Sequence, residues 1–426
     1  IPSYREDWAA RVTYGWNKRY NVELNGSYNG SEKFSEDNRF AVFGSGALGW
    51  TISEENFFSF LRENHYIDLL KVRASLGVTG SDNVDWRLGS FLYMDEWAVG
   101  GTTKMALSGN ETSGFQWYRM SKLGNKDLHW ETVRKFNFGI DYSLFQGLFA
   151  GSVEIFRDKR YDILIAGSDR ATPSYFGVDV PVANLGEVKA RGYEVELRVN
   201  KQLTRDIRLW GNFSITHNEN KIIERDDPAL KPNYQKAEGY AIDQTRSFID
   251  AGFVNNIDEL YGSPAFATDD RFRMPGSYYI IDFNGDGTID SKDAAPYGFT
   301  STPENTYNAT LGFDWRGFSC FVQFYGVRNV TRDVTLQSFG QKLNTVYDFG
   351  STWTKDNPNA DYTQYHWATA PVSKEGGSFP AYGTQYQFDG SYIRLKNVEL
   401  AYSWNNGWIN KIGLRSEEHT SELQSR

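Results

Sequence analysis

The chain has 426 residues, a formal net charge of −9 and one cysteine, Cys320. A single thiol excludes an internal disulfide and a thiolate metal site, and the acidic balance argues against a nucleic-acid partner. No run of about 18 apolar residues occurs, which excludes a helical membrane span; β-barrels escape that test, because their strands are apolar only at alternate positions.

The alternation begins at once. Trp8, Ala10, Val12, Tyr14 and Trp16 form one apolar stripe, and Tyr20, Val22, Leu24 and Tyr28 form the next, facing Asn21, Glu23, Asn25 and Ser27. Leu70, Val72, Ala74, Leu76 and Val78 alternate with Lys71, Arg73, Ser75, Gly77 and Thr79. In "KFNFGIDYSLF" (135–145), Phe136, Phe138, Ile140, Tyr142 and Leu144 alternate with Lys135, Asn137, Gly139, Asp141 and Ser143. Similar stripes run through 193–200, 207–216 and 308–315. At 391–404 the stripe shifts from Ile393 and Leu395 to Val398, Leu400 and Tyr402, which predicts a bulge. Period two means strands with one apolar and one polar face. Their length, about ten residues, suits a tilted membrane strand better than a globular one.

The connections alternate in length. Short ones fall at 17–19, 145–147, 201–206 and 316–317, and long ones at 80–131, 160–186, 218–303 and 328–390. Segment 51–68 is predicted to hold a helical turn on the short-turn side, with 31–39 a modest loop opposite. All the long loops therefore lie at one end, as in outer-membrane barrels with short periplasmic turns and long outer loops. Lys, Arg, Glu and Asp on the polar faces could not be buried unpaired in a sandwich core. The 16% aromatic content fits interface girdles and sugar-binding loops. The expectation is an all-β, antiparallel transmembrane barrel of which about eleven strands are present.

Several stretches share a further likeness: "AVFGSGALGWTISEENFF" (41–58), "LLKVRASLGVTGSDNV" (69–84), "LHWETVRKFNFGIDYSLFQGLFAGSVEIFRDKRYDILI" (128–165), "NLGEVKARGYEVELR" (184–198), "IIDFNGDGTIDSKDAAPYGFTSTPENTYNATLGFDWRGFSCFVQFYG" (280–326) and "YIRLKNVELAYSW" (392–404). In order and spacing they resemble the SusC/RagA family of TonB-linked outer membrane proteins of Bacteroidetes, over about 1–414. The resemblance implies a TonB-dependent transporter in the cell outer membrane, with a plugged barrel of about 22 strands. It implies import of oligosaccharides, or peptides in some branches, with a SusD-like surface lipoprotein as lid. The plug, the TonB-contacting segment and the first strands are expected to be missing. The opening "IPSYREDW", without an initiator Met or a signal peptide, reads as a missing N-terminus. After "KIGL" (411–414) the chain reads "RSEEHTSELQSR", which resembles a translated sequencing adapter. Residues 415–426 are therefore expected to be non-native, leaving 1–414 as a partial barrel domain with two open strand edges.

"DFNGDGTIDSKD" (282–293) fits a calcium loop. Asp282, Asn284 and Asp286 stand at positions 1, 3 and 5, Gly287 at 6, Thr288 at 7, Asp290 at 9 and Asp293 at 12, with Ile289 as apolar anchor. Asp at 12 is shorter than the usual Glu, and the upstream "GSYYII" reads as a strand instead of a helix; an Asx-rich turn explains the same residues. The expected role is a structural Ca2+ stiffening an outer loop. "GSGALG" (44–49) matches a dinucleotide-binding pattern but sits inside a strand with no βαβ unit, so its small residues read as leaving room in a lumen or against the plug. Loop clusters "FLYMDEW" (91–97), "FQWYRM" (115–120), Pro275–Tyr279, "YDFGSTW" (347–353) and "YTQYHW" (362–367) could stack on sugars or pack the loops together. No catalytic constellation is visible, and the five histidines (His65, His129, His217, His366, His419) lack metal-ligand spacing. The chain is read as a non-enzyme. The second reading is a soluble or surface-anchored β-rich glycan-binding protein with a calcium loop.

Overall fold

The computed structural model describes residues 4–83, 91–100, 117–173, 175–178, 180–267, 273–333, 351, 353–361 and 383–403. Among them, eleven strands form one antiparallel sheet in strict chain order. They are β1 (Arg5–Trp16), β2 (Tyr20–Ser31), β3 (Phe40–Thr51), β4 (Ile67–Ser81), β5 (Glu131–Leu144), β6 (Phe149–Ile165), β7 (Ala183–Thr204), β8 (Ile207–Glu224), β9 (Asn305–Trp315), β10 (Phe318–Arg328) and β11 (Tyr392–Tyr402). This is an up-and-down meander, the expected topology.

The register carries every apolar stripe onto the next. Val12 faces Leu24, Leu48 faces Ala74, Ala74 faces Phe138 and Phe138 faces Ile155. Further along, Val153 faces Val195, Phe213 faces Ala309, and Leu311 faces Val322. A one-residue slip would send a strand's apolar set to the polar face, so the pattern itself fixes the pairing. The predicted bulge is present: the β10–β11 register shifts between Gln323 and Phe324, which face Asn397 and Leu395 and leave Lys396 over.

The apolar face is not a core. Trp8 is 66% exposed, Val42 76% and Leu400 68%. The buried apolar residues gather instead toward the long-loop rim, in the loops and at the strand ends that meet them, such as Phe43, Val133, Ile165, Ile222 and Val327. One cluster joins Phe34, Phe43, Leu92, Leu128, Trp130 and Val182. A second joins Phe248, Phe266, Tyr278, Ile280 and Ile289 within the outer loops. Apolar side chains left open across a whole sheet while small cores form elsewhere suit a lipid solvent and would be unstable in water.

All the tight turns fall on one rim. Three of them use left-handed backbone, at Asn17 and Lys18, at Phe145, Gln146 and Gly147, and at Arg316 and Gly317, as many short hairpins do. The helical turn expected on this rim is α1 (Ser59–Glu63). On the other rim the strands outgrow the expected ten residues: β6 has 17, β7 has 22 and β8 has 18. Long connections therefore start later than the sequence suggested, at 166 and 225 instead of 160 and 218. The extensions lose apolar alternation and are held by charge pairs instead. Lys159 Nζ lies 2.8 Å from Glu187, and Arg191 pairs with Glu219.

Candidate functional site: the polar face of the sheet

The polar face divides into two regions. On β4–β6 it is charged. The Arg73 guanidinium lies between two carboxylates, with Nε 3.2 Å from Asp141 and Nη2 bonded to Glu154, which also accepts from Asn137 Nδ2 at 3.0 Å. Gly139 stands directly under Arg73, where an added Cβ would come within 2.9 Å of Cζ. The glycine in "KFNFGIDYSLF" thus makes room for a cross-strand arginine. Nearby, Lys135 pairs with Asp158 at 3.5 Å and Arg11 with Glu23 at 2.7 Å.

On β8–β11 the face turns aromatic, with an Arg208–Asp314 pair at 3.8 Å toward the tight-turn rim and Glu399 opposite Phe321. Trp210 lies over Gly312, where a Cβ would meet the indole at 2.0 Å, and its ring centroid is 6.2 Å from Phe321. Beside this pair runs an amide ladder. Gln323 Nε2 donates to Asn308 Oδ1 at 2.9 Å, and Asn397 Nδ2 donates to Gln323 Oε1 at 2.7 Å. Arg394 sits 5.6 Å from the Tyr325 ring, on the same face. Trp210, Phe321, Asn308, Gln323 and Tyr325 are all half-buried. Ring faces next to amide donors and acceptors can hold a polyhydroxylated ring.

The 282–293 loop lies in the outer region. Asp282 Oδ1 accepts from the Gly285 and Asp286 amides at 2.7 and 3.2 Å, and Oδ2 from Gly287 at 2.6 Å. Burial pushes the Asp282 carboxyl up, but these backbone donors outweigh it and hold it below the usual range. Gly285 and Gly287 take the left-handed backbone the sharp turn needs. Ile289 is buried in the loop core, as the anchor position predicts, and Tyr278–Ile280 upstream is a strand. Asp293 behaves differently from a cation ligand. It is fully buried, and its two oxygens accept from the amides of Phe283, Asn284 and Asp290. Lys292 Nζ stands 3.0 Å from Asp290 and 3.8 Å from Asp286; the amide of Lys292 and then its ammonium lower the Asp290 pKa. Among the described residues, no group of three or more His, Cys, Asp or Glu side chains is arranged to hold a metal ion.

No protein-family model matches the chain. Its sequence is 26% identical over 420 residues to TonB-dependent receptor P3 of Formosa agariphila, covering 95% of this chain and 39% of that receptor. It is 24% identical over 428 residues to TonB-dependent receptor SusC of Bacteroides thetaiotaomicron, covering 93% and 38%. Its fold matches the RagAB peptide importer in the open-open state with a TM-score of 0.69 at 20% identity, covering 95% of this chain and 41% of that one. In the closed-closed state the TM-score is 0.66. The resemblance to the SusC/RagA family holds. The chain spans about two-fifths of the length of these relatives and is an outer-membrane β-barrel portion, with its apolar face to lipid and its polar face to the lumen. The soluble-binder reading fails on the exposed apolar face. The non-enzyme reading agrees with relatives named as receptors.

In this sheet, "GSGALG" lies wholly inside β3, so the dinucleotide pattern is accidental; Gly46 faces Leu24 and Leu76 in the apolar phase, and only Ser45, Ala47 and Gly49 stand on the lumen side, which corrects the expectation that all the small residues face the lumen. The loop aromatics split. Tyr278 and Trp353 are buried, Trp353 donating from Nε1 to Asn255 at 3.1 Å, and pack loop on loop. Trp97 and Tyr118 are 65% exposed on a hairpin of 96–100 and 117–122. Residues 115–116, 347–350, 352 and 362–367, and the tail at 415–426, lie outside the described residues. The sequence reading missed the Trp210 patch. Its signal was an aromatic in the polar phase of a strand, legible only once Gly312 is known to face it.

Proposed function

We propose that the chain is part of an importer that takes up oligosaccharides across the outer membrane in a TonB-dependent cycle, with a SusD-like surface lipoprotein over its long loops. The observation that carries this reading is one eleven-stranded sheet with a lipid-facing and a lumen-facing side, tight turns on one rim and long loops on the other. Coupling to TonB rests on relatives named as TonB-dependent receptors, and the lipoprotein partner on the resemblance to the SusC/RagA family. The cargo assignment rests on the Trp210–Phe321 pair and the amide ladder beside it, whose ring faces and paired amide donors and acceptors suit a sugar. The test is titration of the full-length receptor with oligosaccharide and peptide pools by calorimetry. Replacing Trp210 by Ala is expected to weaken oligosaccharide binding about tenfold, near the upper end of one aromatic contact. Peptide binding without oligosaccharide binding would overturn the cargo assignment.

The 282–293 loop is proposed as a weak calcium site, with Asp282, Asn284, Asp286, Thr288, Asp290 and Asp293 as the donor set. As folded, the set is held by backbone amides and Lys292, so calcium must displace the ammonium and turn Asp293 outward. An affinity of about 0.1–1 mM is expected, as in extracellular calcium modules, and Lys292→Ala should tighten it. Calorimetry on the full-length protein that detects no binding at millimolar calcium refutes the site.

A further inference from the structure

The tight-turn rim carries an aromatic belt on the lipid side. Trp16 stacks on Tyr20 at 5.7 Å, and Tyr20 on Trp50 at 6.4 Å. Such belts mark the level of the lipid headgroups. The segment between β3 and β4 is tied to this belt by one carboxylate. Glu55 accepts from Tyr20 Oη at 2.6 Å and from Trp50 Nε1 at 3.1 Å, and pairs with Arg19 at 3.3 Å. Residues 52–58 are thereby held against the lipid-facing end of β2 and β3, not folded under the lumen. Two residues beyond the clamp the chain presents Phe57, 71% exposed, and within α1 it presents Phe60, 68% exposed. The segment's polar groups are tied down: Asn56 Oδ1 accepts from Arg19 at 2.6 Å, and Arg62 is bonded to Glu54 at 2.8 Å and to the Ser53 carbonyl.

We propose that residues 52–63 form a membrane-interface anchor, in which Phe57 and Phe60 insert among the acyl chains of the periplasmic leaflet just below the phosphates. Two large apolar side chains left open in water have no reason to stand beside a headgroup belt, whereas a short amphipathic element lying in the interface buries them. Lys18, exposed on the β1–β2 turn next to Arg19, is placed to meet the lipid phosphates. Glu55 is the positioning residue, since its three partners fix where the two phenylalanines stand.

The test uses the full-length receptor in phospholipid vesicles, with Cys320→Ser as background and nitroxide labels at Phe57→Cys, Phe60→Cys, Glu63→Cys and Leu311→Cys. Collision with oxygen and with a nickel chelate reports depth. Labels at 57 and 60 are expected to be oxygen-dominated, at about 5–10 Å below the phosphates, and the label at Glu63→Cys nickel-dominated. In a Glu55→Gln variant the labels at 57 and 60 are expected to move toward water. Nickel-dominated signals at 57 and 60, with an oxygen-dominated signal at Leu311→Cys, would overturn the anchor while leaving the barrel intact. A nickel-dominated label at 311 would instead count against the lipid-facing side itself.

Discussion

Arginine at position 311 is expected to destabilise the folded barrel by about 2–4 kcal/mol, the cost of a cation near the midplane of a lipid-facing barrel surface. Leu311 lies mid-strand in β9, 49% exposed, with Gly211 and Val322 as neighbours across the strands. Its chain neighbour Thr310 faces Asn212 and Gln323 on the lumen side. Thr310→Arg should therefore change stability by less than 1 kcal/mol, a surface-type effect. The measurement is urea unfolding of the full-length receptor in liposomes, followed by its heat-dependent shift on gels. Equal effects of the two substitutions would show that alternation does not separate lipid from lumen, and the barrel assignment would fall.

The second large effect is at Arg73. Removing one partner of a buried ion pair costs about 3–5 kcal/mol, because a charge is left unpaired. Here the side chains of Arg73, Asp141 and Glu154 are 33%, 27% and 21% exposed, so solvent reduces the expected loss for Arg73→Ala to about 1–3 kcal/mol. Arg73→Lys should recover little of it. One guanidinium bonds two carboxylates through separate N–H groups, and an ammonium lacks that fork. Adding Asp141→Asn and Glu154→Gln to Arg73→Ala should restore most of the stability by removing the stranded charges. A triple variant as unstable as the single one would mean that Arg73 acts through packing over Gly139 instead of through charge.

The sheet was legible because its rule is local. Val12, Leu24, Leu48 and Ala74 each announce their face within their own strand, and matching stripes leave one register. Turn placement was legible for the same reason, and so was the bulge at Lys396, since a phase shift in a stripe is visible without a partner. The heights of β6, β7 and β8 were not, because their outer ends are held by pairs such as Lys159–Glu187 that depend on which strands adjoin. Gly139, Gly312 and Trp210 share that limitation: each has meaning only against a residue of a neighbouring strand. In the calcium-like loop the spacing gave the turn and the Ile289 anchor, but not that Asp293 would be buried on backbone amides or that Lys292 would stand between carboxylates.

The outer loop core also bears on the order of assembly. The Asp250 amide donates to Thr384 Oγ1 at 3.1 Å across 134 positions of sequence, and Trp353 reaches Asn255 across 98. Contacts so distant in the chain carry a high loop-closure entropy and form late. Strands β9 and β10 lie between the segments that must meet, so the loop core closes across them. The outer cap is therefore a seal set after the wall is built, and a strand paired out of register would leave it open on the cell surface.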